Sequence, residues 1–331
     1  MDFCHLVYMM AGCVVEVENE RNYAMKKVFH LCHSSKEEVL FRSHDDYNWG
    51  FNCYALALYK TDSCSLADSH MSNHRHYVAQ TDAPERMMRI NRLAYTRHMN
   101  TKYHRKGPLG EREYFCVEID GLYHLLAAIS YTLRNPLHHG VSPTPFAYPY
   151  SSANIVFQSQ LGKSPDPDLL GKRYRHSHVG RNVLLPDNYE MDRSGLIIRK
   201  NVTAVQQVEL LYASPKSFLY YMNRPSDDKW IEEQKSDNVL LQPITMELIE
   251  TGVSLTSPKQ MLINEKGRND YNRISDLKLC EEIDRIIVNR YKAQSVYCLP
   301  YSHKQELYQI VKELYHVGDA QARRCLAMDY M

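Results

Sequence analysis

The sequence predicts an α+β protein: a ferredoxin-like antiparallel sheet with helices on one face, followed by a C-terminal helical region. Strand-like and helix-like segments alternate as β-α-β-β-α-β up to residue 119, which is the order of a ferredoxin-like sheet. Another helical segment follows directly, and the pattern from about residue 241 onward is again helical. These observations together decide the fold class.

The first four elements are expected before residue 82. Residues 25–32 (MKKVFHLC) are typical of a strand, and residues 44–58 of a helix. The segments SCSLADSHM (63–71) and NHRHYVAQT (73–81) predict two strands, with Ser72 and Asn73 near their junction.

Three further elements complete the predicted order. A long basic helix is expected to begin near Pro84 and to end on Gly107, because proline suits the first turn of a helix and glycine its end. REYFCVEI (112–119) predicts a strand, and residues 120–135 a helix. We expect that helix to stop at Pro136, because the residue before a proline resists the α conformation.

The composition is that of an ordinary globular protein and excludes several classes. The formal net charge of the 331 residues is +1, so a nucleic-acid-binding surface must come from local basic patches. Nine dispersed cysteines without a C-x-x-C pair indicate reduced thiols, and we expect a cytoplasmic protein. The apolar run from Leu6 to Val15 is too short to span a bilayer and lacks a preceding basic segment, so neither a membrane partner nor a signal peptide is expected.

Composition shifts divide the chain into three expected regions. Residues 20–158 form the first domain, which the proline-rich segment PTPFAYPYSS (143–152) closes. Residues 159–240 are basic and irregular, and GKRYRHSHVGR (171–181) within them is either a DNA-gripping insertion or a linker. Residues 241–331 are helical and contain a candidate helix-turn-helix.

Two histidines of the third predicted strand are candidate metal ligands. Alternate side chains of a strand share a face, so His74 and His76 point the same way, roughly 6.5–7 Å apart at their Cα atoms. Such a pair can chelate one cation; the alternative is two ordinary strand histidines without a metal. Arg75 lies on the opposite face and is expected to meet solvent or a partner.

One tyrosine of the predicted helix 120–135 is a candidate functional residue. The helix carries an apolar stripe about 100° wide. Its members are Leu122, Leu125, Leu126, Ile129 and Leu133. Tyr131 lies nearly opposite this stripe, with Asn135 one turn further on. Tyr131 therefore either meets solvent or faces a site.

Metal-assisted attack on a phosphodiester would join the histidines to the tyrosine. A phenol has an unperturbed pKa of about 10 and is a poor nucleophile at neutral pH. A divalent cation polarises the phosphodiester, and the tyrosine forms a covalent phosphotyrosine. No G-x-x-x-x-G-K-[ST] loop is present. Two imidazoles and an amide oxygen suit Mg²⁺ or Mn²⁺.

Four segments in the same order resemble the single-tyrosine HUH transposase family, and most of all its REP-associated tyrosine transposases. They are SHMSNHRHYV (69–78), HRKGPLGEREYFCVEID (104–120), YTLRNPLHHGV (131–141) and PYSS (149–152). The resemblance spans about residues 23–158. It implies an enzyme that cleaves and rejoins single-stranded or hairpin DNA through a phosphotyrosine.

The resemblance also implies roles for individual residues. Tyr131 is the implied nucleophile, and His74, His76 and Asn135 are the implied ligands of Mg²⁺ or Mn²⁺. Arg75 departs from the family, which has an apolar residue between the histidines, and this puts the packing behind the strand in question. Tyr150 stands where tryptophan is usual, a mild change.

Two basic surfaces are candidate DNA contacts, because lysine and arginine bind phosphates. The expected contacts are Arg89, Arg92, Arg97, Lys102, Arg105, Lys106 and Arg112 around the long helix, with Arg323 and Arg324 in the C-terminal helices. The alternatives are a solvated helix face for the first group and an ordinary helical hairpin for the second. The sequence leaves the oligomeric state open.

Two rival functions remain beside the transposase. One is a domesticated regulator that binds hairpin DNA and is catalytically weak; it would form no covalent adduct. The other is a zinc hydrolase using His70, His74 and His76, although the chain lacks an H-E-x-x-H motif.

Overall fold

The structure, a computed structural model, describes residues 26–139, 141–142, 144–162, 168–180, 183–223 and 274–328. Its sheet contains four strands: Val28–Ser34 (β1), Cys64–His70 (β2), His74–Gln80 (β3) and Phe115–Ile119 (β4). The strand order is β2-β3-β1-β4, and every neighbouring pair is antiparallel. This confirms the antiparallel α+β sheet.

Helices precede, connect and follow the strands. Over the described residues they are His44–Lys60 (α1), Pro84–Tyr103 (α2), Leu122–His138 (α3), Val205–Tyr212 (α4), Pro215–Asn223 (α5), Asp276–Ile286 (α6), Tyr301–Tyr315 (α7) and Asp319–Cys325 (α8). The last three confirm a C-terminal helical region. Residues 224–273, which include the start of the expected helical segment, lie outside the described part. No helix in the described ranges is long and apolar enough to cross a membrane.

Helices cover both faces of the sheet, so the expectation of helices on one face is wrong for α3. The crossover helices α1 and α2 pack on the face of Tyr77, whose ring stacks on Tyr54 and whose hydroxyl accepts from Asn91. Helix α3 packs on the opposite face, that of His76. The reason is that every residue from His74 to Ala79 is buried, and a strand buried on both sides needs two covering layers.

Helix α3 does not stop at Pro136 but continues to His138. A proline removes only its own N–H donor, and the next turn closes normally, because the His139 N–H donates to the Asn135 carbonyl oxygen at 3.1 Å. Helix α2, conversely, ends at Tyr103 rather than at Gly107. His104 takes the left-handed conformation there, with φ of 53°.

Tyr131 is buried, which the helical wheel did not predict. Helix α3 lies between the sheet on one side and the helices α4 and α5 on the other. Side chains from the sheet and from both helices pack against it in one apolar core. The Ser130 hydroxyl, next to Tyr131, lies 2.7 Å from the Tyr212 hydroxyl of α4. Tyr131 therefore faces the sheet with 2% of its surface exposed.

Arg75 is buried as well, although it was expected to meet solvent or a partner. It is 1% exposed, and its Nη1 donates to Asn91 Oδ1 of α2 at 3.4 Å. The guanidinium lies 5.3 Å from the centre of the Tyr95 ring, a distance at which a cation is attracted by the aromatic face. The departure from an apolar residue is thus accommodated by a polar and aromatic pocket of α2.

The C-terminal helices dock on the sheet domain through buried polar contacts. Arg42 donates to the Cys325 carbonyl oxygen and to Asp284 of α6, both at 2.7 Å. Asp276 of α6 accepts from the Ser72 hydroxyl at 2.6 Å, in the turn between β2 and β3. The same carboxylate receives the guanidinium of Arg324. The turn that leads into His74 is therefore tied to the last helices.

Candidate metal and tyrosine site

Strand β3 and helix α3 bring four sequence-predicted residues together. His74 and His76 stand on one face of β3, with ring centres 5.2 Å apart. The Tyr131 ring meets the His76 ring edge-on, with centres 5.3 Å apart. One turn further along α3, Asn135 Oδ1 lies 2.9 Å from His74 Nε2. Tyr131 and Asn135, four residues apart on α3, thus lie opposite His76 and His74, two residues apart on β3.

The His74 ring lies between two amide oxygens. Asn73 Oδ1 is 2.9 Å from Nδ1 and Asn135 Oδ1 is 2.9 Å from Nε2, and a neutral ring donates to only one of them. When Nδ1 donates to Asn73, Nε2 presents its lone pair toward Asn135 Oδ1. Two ligands at about 2.1 Å and right angles around Mg²⁺ or Mn²⁺ would be roughly 3 Å apart, so this pair of atoms fits such an ion.

His76 contacts two residues of β1 that the sequence did not single out as site residues. Its Nδ1 lies 3.1 Å from His30 Nε2, and its Nε2 lies 3.7 Å from Cys32 Sγ. Cys32 pairs directly with His76 across the strands. His30 lies two residues before Cys32, so both side chains point to the same face of β1. The pairing of β1 with β3 would have identified His30 as a neighbour of the site.

Burial keeps the imidazoles of this site neutral. It lowers the pKa of His74 to about 4, although the Asn135 hydrogen bond opposes this, and lowers that of His30 to about 3. The pKa of His76 also lies well below its usual value, through burial and then the neighbouring histidines His30, His74 and His139. Neutral imidazole is the form that binds a metal.

The site is closed to solvent in this structure. His74, His76 and Asn135 have no exposed surface. The extra turn of α3 adds His139, whose ring centre lies 5.1 Å from that of His74, and His138, whose ring centre lies 6.3 Å from that of Tyr131. These two were predicted to be non-ligands, and the structure places them at the rim of the site.

His70 lies on the other face of the sheet. It pairs with Arg75, and its Nε2 lies 3.1 Å from the Tyr77 hydroxyl. Asp68 lies 3.5 Å from its Nδ1. The three histidines of the hydrolase hypothesis are therefore not brought together, which removes the geometric basis of that alternative.

A second group of metal-type ligands lies at the start of α1. Possible ligand atoms of Asp45, Asp46 and His98 lie within 4.8 Å of one another. The Lys102 ammonium, however, already lies 2.8 Å from Asp45 and 2.7 Å from Asp46. Asp46 also closes the capping box of α1 with Ser43. A lysine thus supplies the positive charge here, and the group works as a helix cap.

The basic residues predicted to contact DNA differ in how they are engaged. Lys102, Arg105 and Arg324 are held by carboxylates: Asp45 and Asp46, Glu38, and Asp276 respectively. Arg92 donates to the backbone oxygens of Glu111 and Arg112, and Arg323 lies over the Tyr308 ring. Arg89, Arg97, Lys106 and Arg112 are exposed, and so is Lys102 in spite of its carboxylate partners.

Two of the exposed cations line a cleft near the site. The loop between α2 and β4 runs beside the end of β1, because the Glu111 N–H donates to the Ser34 oxygen and Ser34 pairs with His74. A cleft of about 640 Å³, which we call the loop cleft, opens there, and its lining includes Lys106 and Arg112 together with the acidic residues Glu37, Glu38 and Glu111. Arg89 and Arg97 instead lie on α2 itself, whose Arg92 donates to backbone oxygens of the same loop.

Comparison with known proteins adds one weak likeness. No protein-family model and no curated protein matches the chain. A solved structure of a REP-associated tyrosine transposase bound to a REP hairpin is similar with a TM-score of 0.35 and 14% identity. The match covers 51% of this chain and 100% of that one.

Proposed function

We propose that the protein is a metal-dependent single-tyrosine transposase or nuclease that cleaves and rejoins single-stranded or hairpin DNA. The observation that carries the proposal is the convergence of Tyr131 and Asn135 from α3 on His74 and His76 from β3. A tyrosine, two neutral imidazoles and an amide oxygen are the groups that phosphotyrosine chemistry with a divalent cation requires. The REP-associated subgroup and the domain limits 20–158, 159–240 and 241–331 belong to the same proposal.

The reaction divides strand transfer into two balanced steps. The Tyr131 oxygen, after losing its proton, attacks a backbone phosphorus, and the bond from phosphorus to one deoxyribose oxygen breaks. The leaving oxygen takes up a proton, and the other DNA end stays on Tyr131 as a phosphodiester. A strand hydroxyl reverses the sequence, so no nucleotide triphosphate is consumed. A bound Mg²⁺ or Mn²⁺ would polarise the phosphate and stabilise its developing charge.

The chain's own residues position the reacting groups. His74, His76 and Asn135 would hold the ion, and Asn73 fixes the His74 ring with Nε2 turned toward Asn135. We place the DNA backbone along the loop cleft, where Lys106 and Arg112 are exposed beside the strand end that carries His74. Arg89, Arg92, Arg97 and Arg323 are proposed as more distant contacts. Lys102, Arg105 and Arg324, already paired with carboxylates, are assigned to the fold.

A covalent adduct tests the proposal directly. Labelled hairpin oligonucleotides with single-stranded flanks are incubated with the protein and Mn²⁺, then run on a denaturing gel. We expect a protein-linked product that disappears in Tyr131→Phe, because that change removes only the attacking oxygen. Tyr123→Phe, two turns earlier on α3, is the matched control and should keep the product. An adduct formed by Tyr131→Phe, or none by the unaltered protein, would overturn the assignment.

The closed site favours one second candidate, the DNA-binding regulator. Because His74, His76 and Asn135 are fully buried, the structure as it stands admits no DNA to Tyr131. A protein that binds hairpins without opening the site would give a retarded complex on a native gel and no adduct on a denaturing one.

A further inference from the structure

His30 of β1 is a buried histidine beside the site that the proposed chemistry does not use. It is 1% exposed, and its ring stacks on that of His76 with 13° between their planes. Its edge also meets the Tyr131 ring, with centres 6.2 Å apart. His30 therefore touches both the β3 half and the α3 half of the site.

We infer that His30 is a positioning residue that fixes the tautomer and orientation of His76 for metal binding. The inference rests on the proposed function, in which His76 is a ligand. A ring nitrogen that binds a metal must present its lone pair, so the other nitrogen carries the hydrogen and needs an acceptor. The 3.1 Å contact from His76 Nδ1 to His30 Nε2 supplies that acceptor.

The neighbouring contacts are consistent with this direction of donation. Cys32 Sγ lies 3.7 Å from His76 Nε2, so a thiol S–H can donate to that nitrogen until an ion takes its lone pair. His76 then carries its hydrogen on Nδ1, which donates to His30 Nε2. The neutral His30 ring carries its own hydrogen on Nδ1.

The far side of His30 does not decide the direction of donation. Among the described residues, no partner hydrogen-bonds to the buried His30 Nδ1, so this assignment leaves its hydrogen without an acceptor. Only the Nε2 side of this ring has a polar contact, and that contact is His76. His74 is oriented in the same way by the Asn73 oxygen. In this assignment both proposed ligands donate from Nδ1 to a residue that does not bind the ion: His74 donates to Asn73, and His76 donates to His30.

Binding of Mn²⁺ alone, measured by the electron paramagnetic resonance signal of the free ion, tests the inference without DNA. His30→Phe keeps a flat ring but removes the acceptor, and we expect affinity to fall about 10–100-fold, the usual cost of losing such a partner. His30→Gln offers an amide oxygen and should recover most of it. His33→Phe is the matched control: it is equally buried on the same strand, faces away from the site, and should leave affinity unchanged.

The outcomes separate this inference from the proposed function. If His76→Ala binds Mn²⁺ as well as the unaltered protein, the metal site itself is wrong. If His76→Ala loses binding while His30→Phe retains it, only the role of His30 is wrong. Should His30→Phe fail to fold, long-range ¹H–¹⁵N spectra of the unaltered protein decide. His76 protonated on Nδ1 is the expected result, and His76 protonated on Nε2 overturns the inference.

Discussion

At the scale of single residues, the site is a set of polar side chains that the interior keeps dry and neutral. His74 receives one amide oxygen at each ring nitrogen, and only one of those contacts can be a hydrogen bond from a neutral ring. In the proposed function, an ion between His74 Nε2 and Asn135 Oδ1 would relieve the remaining contact between two lone pairs.

The two proposed types of ligand should differ in importance. His76→Ala removes an imidazole that no neighbouring group can replace, so we expect adduct formation to fall by at least about 100-fold, several kcal/mol of barrier. Asn135→Ala should cost only about 10-fold, because water can replace one neutral oxygen ligand. Adduct yield on denaturing gels, with and without chelator, measures both. Full cleavage in excess chelator would contradict the metal requirement.

At the scale of elements, the cap of α1 carries a testable acid sensitivity. Asp46 is buried, and burial alone would raise its pKa, but hydrogen bonds from His98, Lys102 and Tyr103 lower it to about 2. A pKa depressed from 3.8 means that the ionised carboxylate stabilises the fold above about pH 4. That stabilisation is lost as the pH falls toward 2.

Asp46→Asn should therefore lower the free energy of unfolding at pH 7 by about 2–3 kcal/mol. The difference from the unaltered protein should shrink as the pH falls from 4 to 2. Urea unfolding at several pH values measures it. Asp45→Asn is the control, since Asp45 is 56% exposed and a surface pair contributes less than about 1 kcal/mol. Equal effects at the two positions would refute the buried-cap explanation.

Two adjacent arginines of α8 separate folding from DNA contact. Arg324 is 1% exposed and paired with Asp276, so Arg324→Met leaves a buried carboxylate and should cost about 3–5 kcal/mol. Arg323 lies over Tyr308 near the surface, so Arg323→Met should cost about 0.5 kcal/mol. Thermal unfolding followed by circular dichroism measures both. If α7 and α8 formed a helix-turn-helix in which both arginines contact DNA, the two substitutions would instead cause similarly small losses of stability.

At the scale of the whole molecule, the exposed cations form two groups. Lys106 and Arg112 border the loop cleft, whereas Arg89 and Arg97 lie on α2. With a net charge of only +1, binding of DNA depends on which of these patches meets the phosphates. Replacing each pair in turn therefore tests which patch binds DNA, with the other pair as the control.

Replacing Lys106 and Arg112 together by glutamine should weaken hairpin binding and flatten its salt dependence. Each lost phosphate contact removes about 0.7–0.9 from the slope of log affinity against log salt, so a decrease of about 1.4–1.8 is expected. The same replacement of Arg89 and Arg97 should leave the slope unchanged. Fluorescence anisotropy between low and moderate salt measures both, and the reverse pattern would move the DNA contact from the loop cleft to α2.

The sequence predicted the order of elements and the residues of the site, but not its surroundings. Alternation placed His74 and His76 on one face, and four-residue spacing joined Tyr131 to Asn135; both are local periodicities. Contacts of His30 and the burial of Tyr131 depend on which strands pair and on what covers α3. Such contacts between distant segments leave no periodic pattern in the chain, so helical and strand spacing could not reveal them.

The alternation of buried polar residues along β3 has a consequence for how the sheet assembles. A shift of the strand by one position against β1 would carry Arg75 into the space beside Tyr131 and turn His74 and His76 toward Tyr95. The misplaced guanidinium would lose the Asn91 oxygen and the Tyr95 ring, and the imidazoles would lose Asn73, Asn135 and His30. In most strands apolar residues alone resist such a slip. In β3 two rows of polar residues also resist it, because the shifted alignment would lose these contacts, so the residues proposed for chemistry also help to select the alignment of the strand.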